Sequence, residues 1–554
     1  MFVDGNRDGQ ISLDGTDDTA ADKPFRFWVN DDDDGGTTLI PPVIGIGAGT
    51  TFINETDAVP VQQADYTRHK IVSKRNLEDC GRLWINLSGL QGMITDPNTT
   101  FQIGLKWADG YTGTPAINIY PSAEGTGSDS YLRDDAAAQA QITGVFNTAV
   151  TDKNNKNTVD TTGTFIIKSD YWTGLTAANP NKCLLFEGAG IGKGQLVIVI
   201  LDASGNQIGE GPGVWLDLKR IKSMYEGLGT AFDKPADETP QGIVFVHGWN
   251  MSPEGSTSFA ETMFKRLWHR GFKGRLVSIR WNTNYSDAFD NVPLVGEAIE
   301  GYLADYNGSE RVAWQSGAIV KAAVDGLPAG YSQNIIAHSM GNIVAGSALL
   351  SGVTFDNYVL MQAAVPASCY DDRVILKQAE RLSPDSYAGF HPTFWEADAS
   401  PDDDTVAETR AMSYRGRLSS TTGNLVSFYL TNDHATTYAW EFNNDQTKPI
   451  PNYGYTRGAP ATLGAQRALW RQIGMAYKDS LTDPLIAMPF VCRSWSKVVG
   501  AESRTAGSIK SSFNLNSSPS FFDTEHSAQF NRSIQVLKPF YDELLRRLQI
   551  TPNP

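Results

Sequence analysis

Ser339 stands in the pentapeptide AHSMG, between two contrasting stretches. Asn334 to His338 is a short apolar run that reads as a strand, and Met340 to Leu350, rich in small residues, reads as a helix. A serine on a sharp strand-to-helix turn holds its hydroxyl at a helix N-terminus, where the dipole and exposed N–H groups favour developing negative charge. A turn that tight forces backbones together, so Ala337 and Gly341, two positions either side, have to be small. This is the sequence form of a nucleophile elbow. A serine hydroxyl is a weak nucleophile at neutral pH. It requires a histidine to take its proton, a carboxylate to orient that histidine, and donors for the oxyanion. Seven histidines are present, and His391, His434 and His526 follow Ser339.

A second chemistry-bearing stretch opens the chain. Asp4, Asn6 and Asp8 fall at alternate positions, Gly9 follows, and Ile11 comes next but one. D-x-N-x-D-G-x-I resembles the calcium loop shared by EF-hands, dockerins and thrombospondin-like repeats. Alternating side-chain oxygens converge on one hard cation, the glycine permits the turn, and the next ligand is a backbone carbonyl, here that of Gln10. The twelfth position is Gly15 rather than Glu, and Asp14 sits one residue early as the acidic ligand. The expected group is a structural Ca2+, with nothing tying it to Ser339.

AHSMG together with the upstream His247-Gly248-Trp249 resembles the serine hydrolases of the α/β-hydrolase fold, over roughly residues 236–554. The resemblance implies a parallel sheet with helices and the chain order Ser, acid, His. It places the general base at His526, in a polar loop before a final helix striped by Phe540, Leu544 and Leu548, with Pro539 in its first turn. The acid is expected at Asp433, after the strand GNLVSFYL, with Asp371, Asp372 and Asp445 as competitors. The oxyanion donors are expected to be the backbone N–H groups of Met340 and Trp249. His247 then braces its loop. No cofactor is needed for this chemistry.

Around these residues the chain divides. Residues 1–35 are an acidic segment, with ten Asp against three basic residues up to position 34. Residues 36–221 read as β-rich, in short alternating runs such as GRLWINL, FQIGLKW and PAINIYP broken by Gly, Pro, Asn and Asp, which points to an all-β, sandwich-like domain. QLVIVILDASGNQIGEG reads as a hairpin. Its aromatics, Trp84, Trp107, Tyr111, Tyr120 and Trp172, are either core or a polymer-binding face. Residues 222–241 carry Gly, Pro and charge without periodicity and read as a linker. Residues 242–554 alternate strands and helices, with insertions at about 370–424, read as a cap, and 450–520.

The 554 residues carry a net charge of −16, which argues against nucleic acid or an anionic membrane as partner. No apolar run approaches the ~18 residues of a transmembrane segment. Four widely spaced cysteines without C-x-x-C argue against a zinc ribbon or redox motif. The start MFVDGNRDG shows no signal peptide and reads as the beginning of a trimmed or mature fragment. A weak calcium loop fills at extracellular levels, so the expected location is extracellular or periplasmic. The expected activity is carboxylic-ester hydrolysis on a small or polymeric ester. Alternatives are a polymer-degrading esterase with a β-rich binding module, and an inactive calcium-stabilised binding protein.

Overall fold

The computed structural model describes, apart from isolated positions, residues 1–30, 77–90, 101–122, 157–225, 232–282, 312–365, 421–433, 499–503, 508–515 and 526–554, with Tyr370, Leu418 and short pieces near 395 and 411. His391, His434, Asp371, Asp372, Asp445 and most of the expected cap at 370–424 lie outside them.

The N-terminal part is one mixed sheet of nine strands. They are β1 (Phe25–Trp28), β2 (Gly81–Asn86), β3 (Gln102–Trp107), β4 (Thr112–Ser122), β5 (Asn157–Val159), β6 (Phe165–Ile167), β7 (Asn181–Leu201), β8 (Gln207–Glu210) and β9 (Val214–Lys219). Where the sequence reads CLLFEGAG and QLVIVIL as separate strands, the structure has a single 21-residue β7. Its first half pairs with β2 and β4, and its second half with β3, β8 and β9. The hairpin to β8 forms as expected, with the backbone N–H groups of Ser204 and Asn206 bonded to the Asp202 carboxylate. The acidic segment is not separate from this sheet: β1 pairs in parallel with β9.

The second sheet has six strands, all parallel. They are β10 (Gln241–Val246), β11 (Arg275–Ile279), β12 (Ser332–His338), β13 (Asn357–Met361), β16 (Asn424–Tyr429) and β17 (Ile509–Asn514); the short β14 (Trp395–Glu396) and β15 (Ala411–Met412) pair apart from it. Its order is β11-β10-β12-β13-β16-β17. The central strands are buried on both faces, as covered parallel sheets require. From β10 the chain goes out to β11 and returns to β12 on the other side. That reversal is a topological switch point between β10 and β12, and open α/β sheets place their ligands at the carboxyl ends of strands at such a point. The 450–520 stretch, expected as an insertion, supplies the edge strand β17, which is only partly buried.

Helices α1 (Ile221–Tyr225), α2 (Pro253–His269), α3 (Gly317–Asp325), α4 (Gly341–Leu350), α5 (Ala528–Asn531) and α6 (Ile534–Arg547) complete the described fold. α6 starts earlier than expected, so Pro539 lies beyond its first turn, while Phe540, Leu544 and Leu548 form the buried stripe. α2 lies between the two sheets. Its Phe264 and Trp268 share one core with Phe25, Phe27, Trp28 and Phe186 of the nine-stranded sheet and with Ile243 and Phe245 of the parallel one. The described part of the expected linker is pinned by charge: Asp233 to Arg26 and Lys219, Asp237 to Arg7, and Glu238 to Arg275. Among the described residues no helix is long and apolar enough to cross a membrane.

Candidate active site

Ser339 follows β12 and precedes α4, with φ +53°. Positive φ is uncommon in a residue with a Cβ and persists only where the surroundings enforce it. Here they do. Its N–H donates to the Met361 carbonyl at 3.0 Å, and its own carbonyl accepts from Ala364 N–H at 3.2 Å and from the Asn342 side chain at 2.9 Å. The need for glycine at 341 is set by the neighbouring strand: a Cβ there would come 2.4 Å from the His247 carbonyl oxygen and 2.6 Å from that of Val246. A Cβ on Gly248 would lie 2.9 Å from the Cβ of Ser339. The loop after β10 therefore lies directly against the serine. Met340, buried, caps the N-terminal end of α4.

His247 is wholly engaged in that loop. Its Nδ1–H donates to the Gly248 carbonyl at 2.8 Å, and its ring stacks on Trp281, whose indole N–H donates to the His247 carbonyl at 2.9 Å. Burial pushes its pKa down to about 4, so it is neutral at neutral pH. Through Trp281 it ties the end of β10 to the end of β11.

Asp433 and His526 come together across 93 residues of chain. Asp433 is inaccessible to solvent, four residues past β16, and its Oδ2 accepts from His526 Nδ1–H at 2.7 Å. That bond fixes the tautomer, leaving Nε2 as the basic nitrogen. The His526 carbonyl accepts from His338 Nε2–H at 2.9 Å, and the two rings lie 4.9 Å apart. His338 immediately precedes Ser339, so the histidine loop is fastened to the serine's own strand. Burial and the neighbouring His526 push the His338 pKa down to about 3, so it stays a neutral donor.

One member of the cluster was not anticipated. Gln362, one residue past β13, donates from Nε2 to Asp433 Oδ2 at 2.7 Å. No motif marks it in MQAAV; the only available signal was its place at the carboxyl end of a parallel strand.

No protein-family model matches the chain, and no curated protein matches it. Among solved structures there is a weak likeness to a carboxylesterase from Bacillus subtilis. It covers 44% of this chain and 71% of that chain at 12% identity, with a TM-score of 0.19.

The N-terminal loop is held by its own carboxylates. Asp4 accepts from the N–H groups of Asp8 and Gly9, Asp8 from Gln10 N–H, and Asn6 Oδ1 from Asp8 N–H. Asp14 does not join them; it accepts from the N–H and hydroxyl of Thr16 in its own turn. Asp17 takes part instead, bonded to the N–H groups of Asn6 and Ser12. Burial, and repulsion from Asp17 and Asp8, push the Asp4 pKa up to about 6 although Arg82 stands 3.2 Å away. Among the described residues no three His, Cys, Asp or Glu side chains are gathered as a metal site.

Four of the five aromatics considered for a polymer-binding face, Trp84, Trp107, Tyr120 and Trp172, are buried, and Tyr111 alone is exposed. A cavity of about 450 Å³ lies elsewhere, at the junction of the two sheets, lined by Arg7, Arg26, Trp268 and Phe272 among others. None of its lining residues belongs to the Ser339 cluster.

Proposed function

We propose that this chain is a serine carboxylic-ester hydrolase working through an acyl-enzyme. His526 Nε2 removes the proton from Ser339, whose Oγ attacks the ester carbonyl. The tetrahedral oxyanion accepts from the N–H groups of Met340 and Trp249. Collapse expels the alcohol, to which His526 returns the proton. Water, deprotonated in turn by His526, then attacks the acyl-enzyme and releases the acid. Asp433 stays ionised, holds the imidazole in the correct tautomer, and stabilises the imidazolium. The observation that carries this reading is the strained Ser339 turn, fastened through His338 to a buried carboxylate–histidine pair.

The test is labelling by a fluorophosphonate probe, combined with turnover of p-nitrophenyl esters from acetate to palmitate. A single labelled peptide containing Ser339 is expected, and labelling should abolish turnover. Folded protein that neither takes the label nor hydrolyses any ester would leave the inactive binding protein as the better reading.

The N-terminal loop is proposed to take a structural Ca2+ on Asp4, Asn6, Asp8 and the Gln10 carbonyl, with Asp17 in the place first expected for Asp14. The donors are all hard oxygens, and the Asp4 pKa is raised first by burial and then by the nearby Asp17 and Asp8 carboxylates, a cost to its ionised form that a cation would offset. The loop ties both sheets, since Asp4 pairs with Arg82 of β2 while Arg7 pairs with Asp237 and Lys273, just before β11, donates to the Asn6 carbonyl. Chelation is therefore expected to lower the melting temperature while sparing turnover by the folded protein. An unchanged melting temperature on adding EDTA, and again on adding Ca2+, would remove the ion from the account.

A further inference from the structure

Gln362 is fully buried, at φ +43°, where a residue with a side chain rarely sits. Its neighbours over-determine that backbone. Its N–H donates to the Phe428 carbonyl of β16 at 2.8 Å. The strap Val499–Ala501 crosses behind it, with Gly500 N–H bonded to the Ala363 carbonyl at 3.0 Å. A Cβ on Gly500 would lie 2.5 Å from the Gln362 carbonyl carbon. The effect of this local strain is to aim one amide at one oxygen. Gln362 Nε2 and His526 Nδ1 each stand 2.7 Å from Asp433 Oδ2.

We propose that Gln362 is a positioning residue for the acid–base pair, resting on the reading of Ser339, His526 and Asp433 given above. It holds the Asp433 carboxylate in the rotamer that presents Oδ2 to His526, and it divides that oxygen's acceptor capacity between two donors. A buried carboxylate needs hydrogen-bond donors to remain ionised. An amide supplies one without titrating, so it donates at every working pH and never competes for the proton that His526 carries. Titratable side chains beside the pair among the described residues include His338, at the end of β12, and His247 beyond it.

Removing this donor has two separable consequences. The carboxylate gains rotational freedom, which lowers kcat by misorienting the imidazole. Oδ2 also loses one of its donors, so the imidazolium is held more tightly and the acid limb of the kcat/KM profile moves to higher pH. Gln362→Met keeps length and volume without the N–H, and Gln362→Glu keeps shape but sets a second carboxyl against Asp433. The methionine variant is expected to lose at least about tenfold in kcat with KM within about twofold, a positioning loss of the kind that misplacement produces. Its acid limb should move upward, and that of the glutamate variant further. Either variant that folds suffices for the comparison.

Turnover is paired with a readout that needs no substrate: the downfield proton NMR signal of His526 Nδ1–H, followed against pH. It is expected to move in both variants. An unmoved resonance with a kcat/KM profile superimposable on wild type would overturn the role of Gln362 while leaving the hydrolase reading intact. Absence of ester turnover by wild type would defeat that reading, with the NMR comparison still deciding whether Gln362 shapes the pair.

Discussion

Ser339→Ala is expected to lower kcat on a p-nitrophenyl ester by about a million-fold, and Asp433→Asn by about ten-thousand-fold. The first removes the nucleophile, and what survives is whatever the oxyanion donors and binding provide. The second acts through charge and tautomer. In wild type, Asp433 Oδ2 accepts from both His526 Nδ1 and Gln362 Nε2. An asparagine carbonyl placed there still accepts from both, but it carries no negative charge to stabilise the imidazolium. With the amide turned over, its NH2 meets both donors, and the imidazole must carry its proton on Nε2. A histidine protonated there cannot take a proton from serine. Because the three groups act as a unit, the double variant should be no slower than Ser339→Ala alone. Steady-state kinetics on the three proteins, with melting temperatures to show that each is folded, checks this. An Asp433→Asn enzyme within tenfold of wild type would displace Asp433 as the orienting acid.

The elbow was legible because its constraint is local. Strand, turn and helix fall within seventeen residues, and the close approach shows in the sequence as Ala337 and Gly341. Even so, the backbone that Gly341 avoids belongs to β10 and not to the serine's own strand. Such a contact, almost a hundred residues away in the chain, leaves no local trace. The same limit explains β7. Its glycines at 188, 190, 192 and 194 look like a strand-breaking run, yet three of them admit neighbouring backbone: a Cβ would come within 2.4 Å of the carbonyl oxygen of Trp28, Thr114 or Thr112. β17 was missed because IKSSFN carries two adjacent serines, and an edge strand buries too little to enforce alternation. The loop at 222–241 reads as a linker because its charges look solvated; their partners Arg7, Arg26, Lys219 and Arg275 lie on other elements. Gln362 went unread because a lone glutamine past a strand carries no pattern. Its meaning lies in the oxygen it shares.

The largest expected stability effect lies at the contact between the sheets, in Glu78→Ala. Glu78 sits in a single 3-10 turn, Leu77–Asp79, that docks on α2. Its Oε2 accepts from Arg266 Nε at 3.0 Å, and its carbonyl accepts from His269 Nε2–H at 2.6 Å. The next residue, Asp79, pairs with Lys265 at 2.7 Å and accepts from the Trp28 indole N–H at 2.7 Å. All four charged side chains are buried. Truncating one partner of such a pair leaves the other charge desolvated without its counter-ion, at a cost of about 3–5 kcal/mol. Against a whole stability of roughly 5–15 kcal/mol this is a large fraction. Replacing both partners, Glu78→Leu with Arg266→Met, should recover most of the loss, since a buried pair is often no better than an apolar one of similar volume. Activity need not recover with it. Arg266 Nη1 also donates at 2.6 Å to the Gln529 carbonyl, three residues past His526, and Tyr541 donates to the same oxygen at 2.8 Å. The nine-stranded sheet thus reaches the histidine loop through one guanidinium. The double variant is expected to unfold in urea near wild type but to turn over more slowly, because one of the two donors to the Gln529 carbonyl is gone. Glu78→Ala within 1 kcal/mol of wild type would mean that this contact does not couple the sheets. Full activity in the double variant would mean that Tyr541 and the His338 bond hold the loop without Arg266.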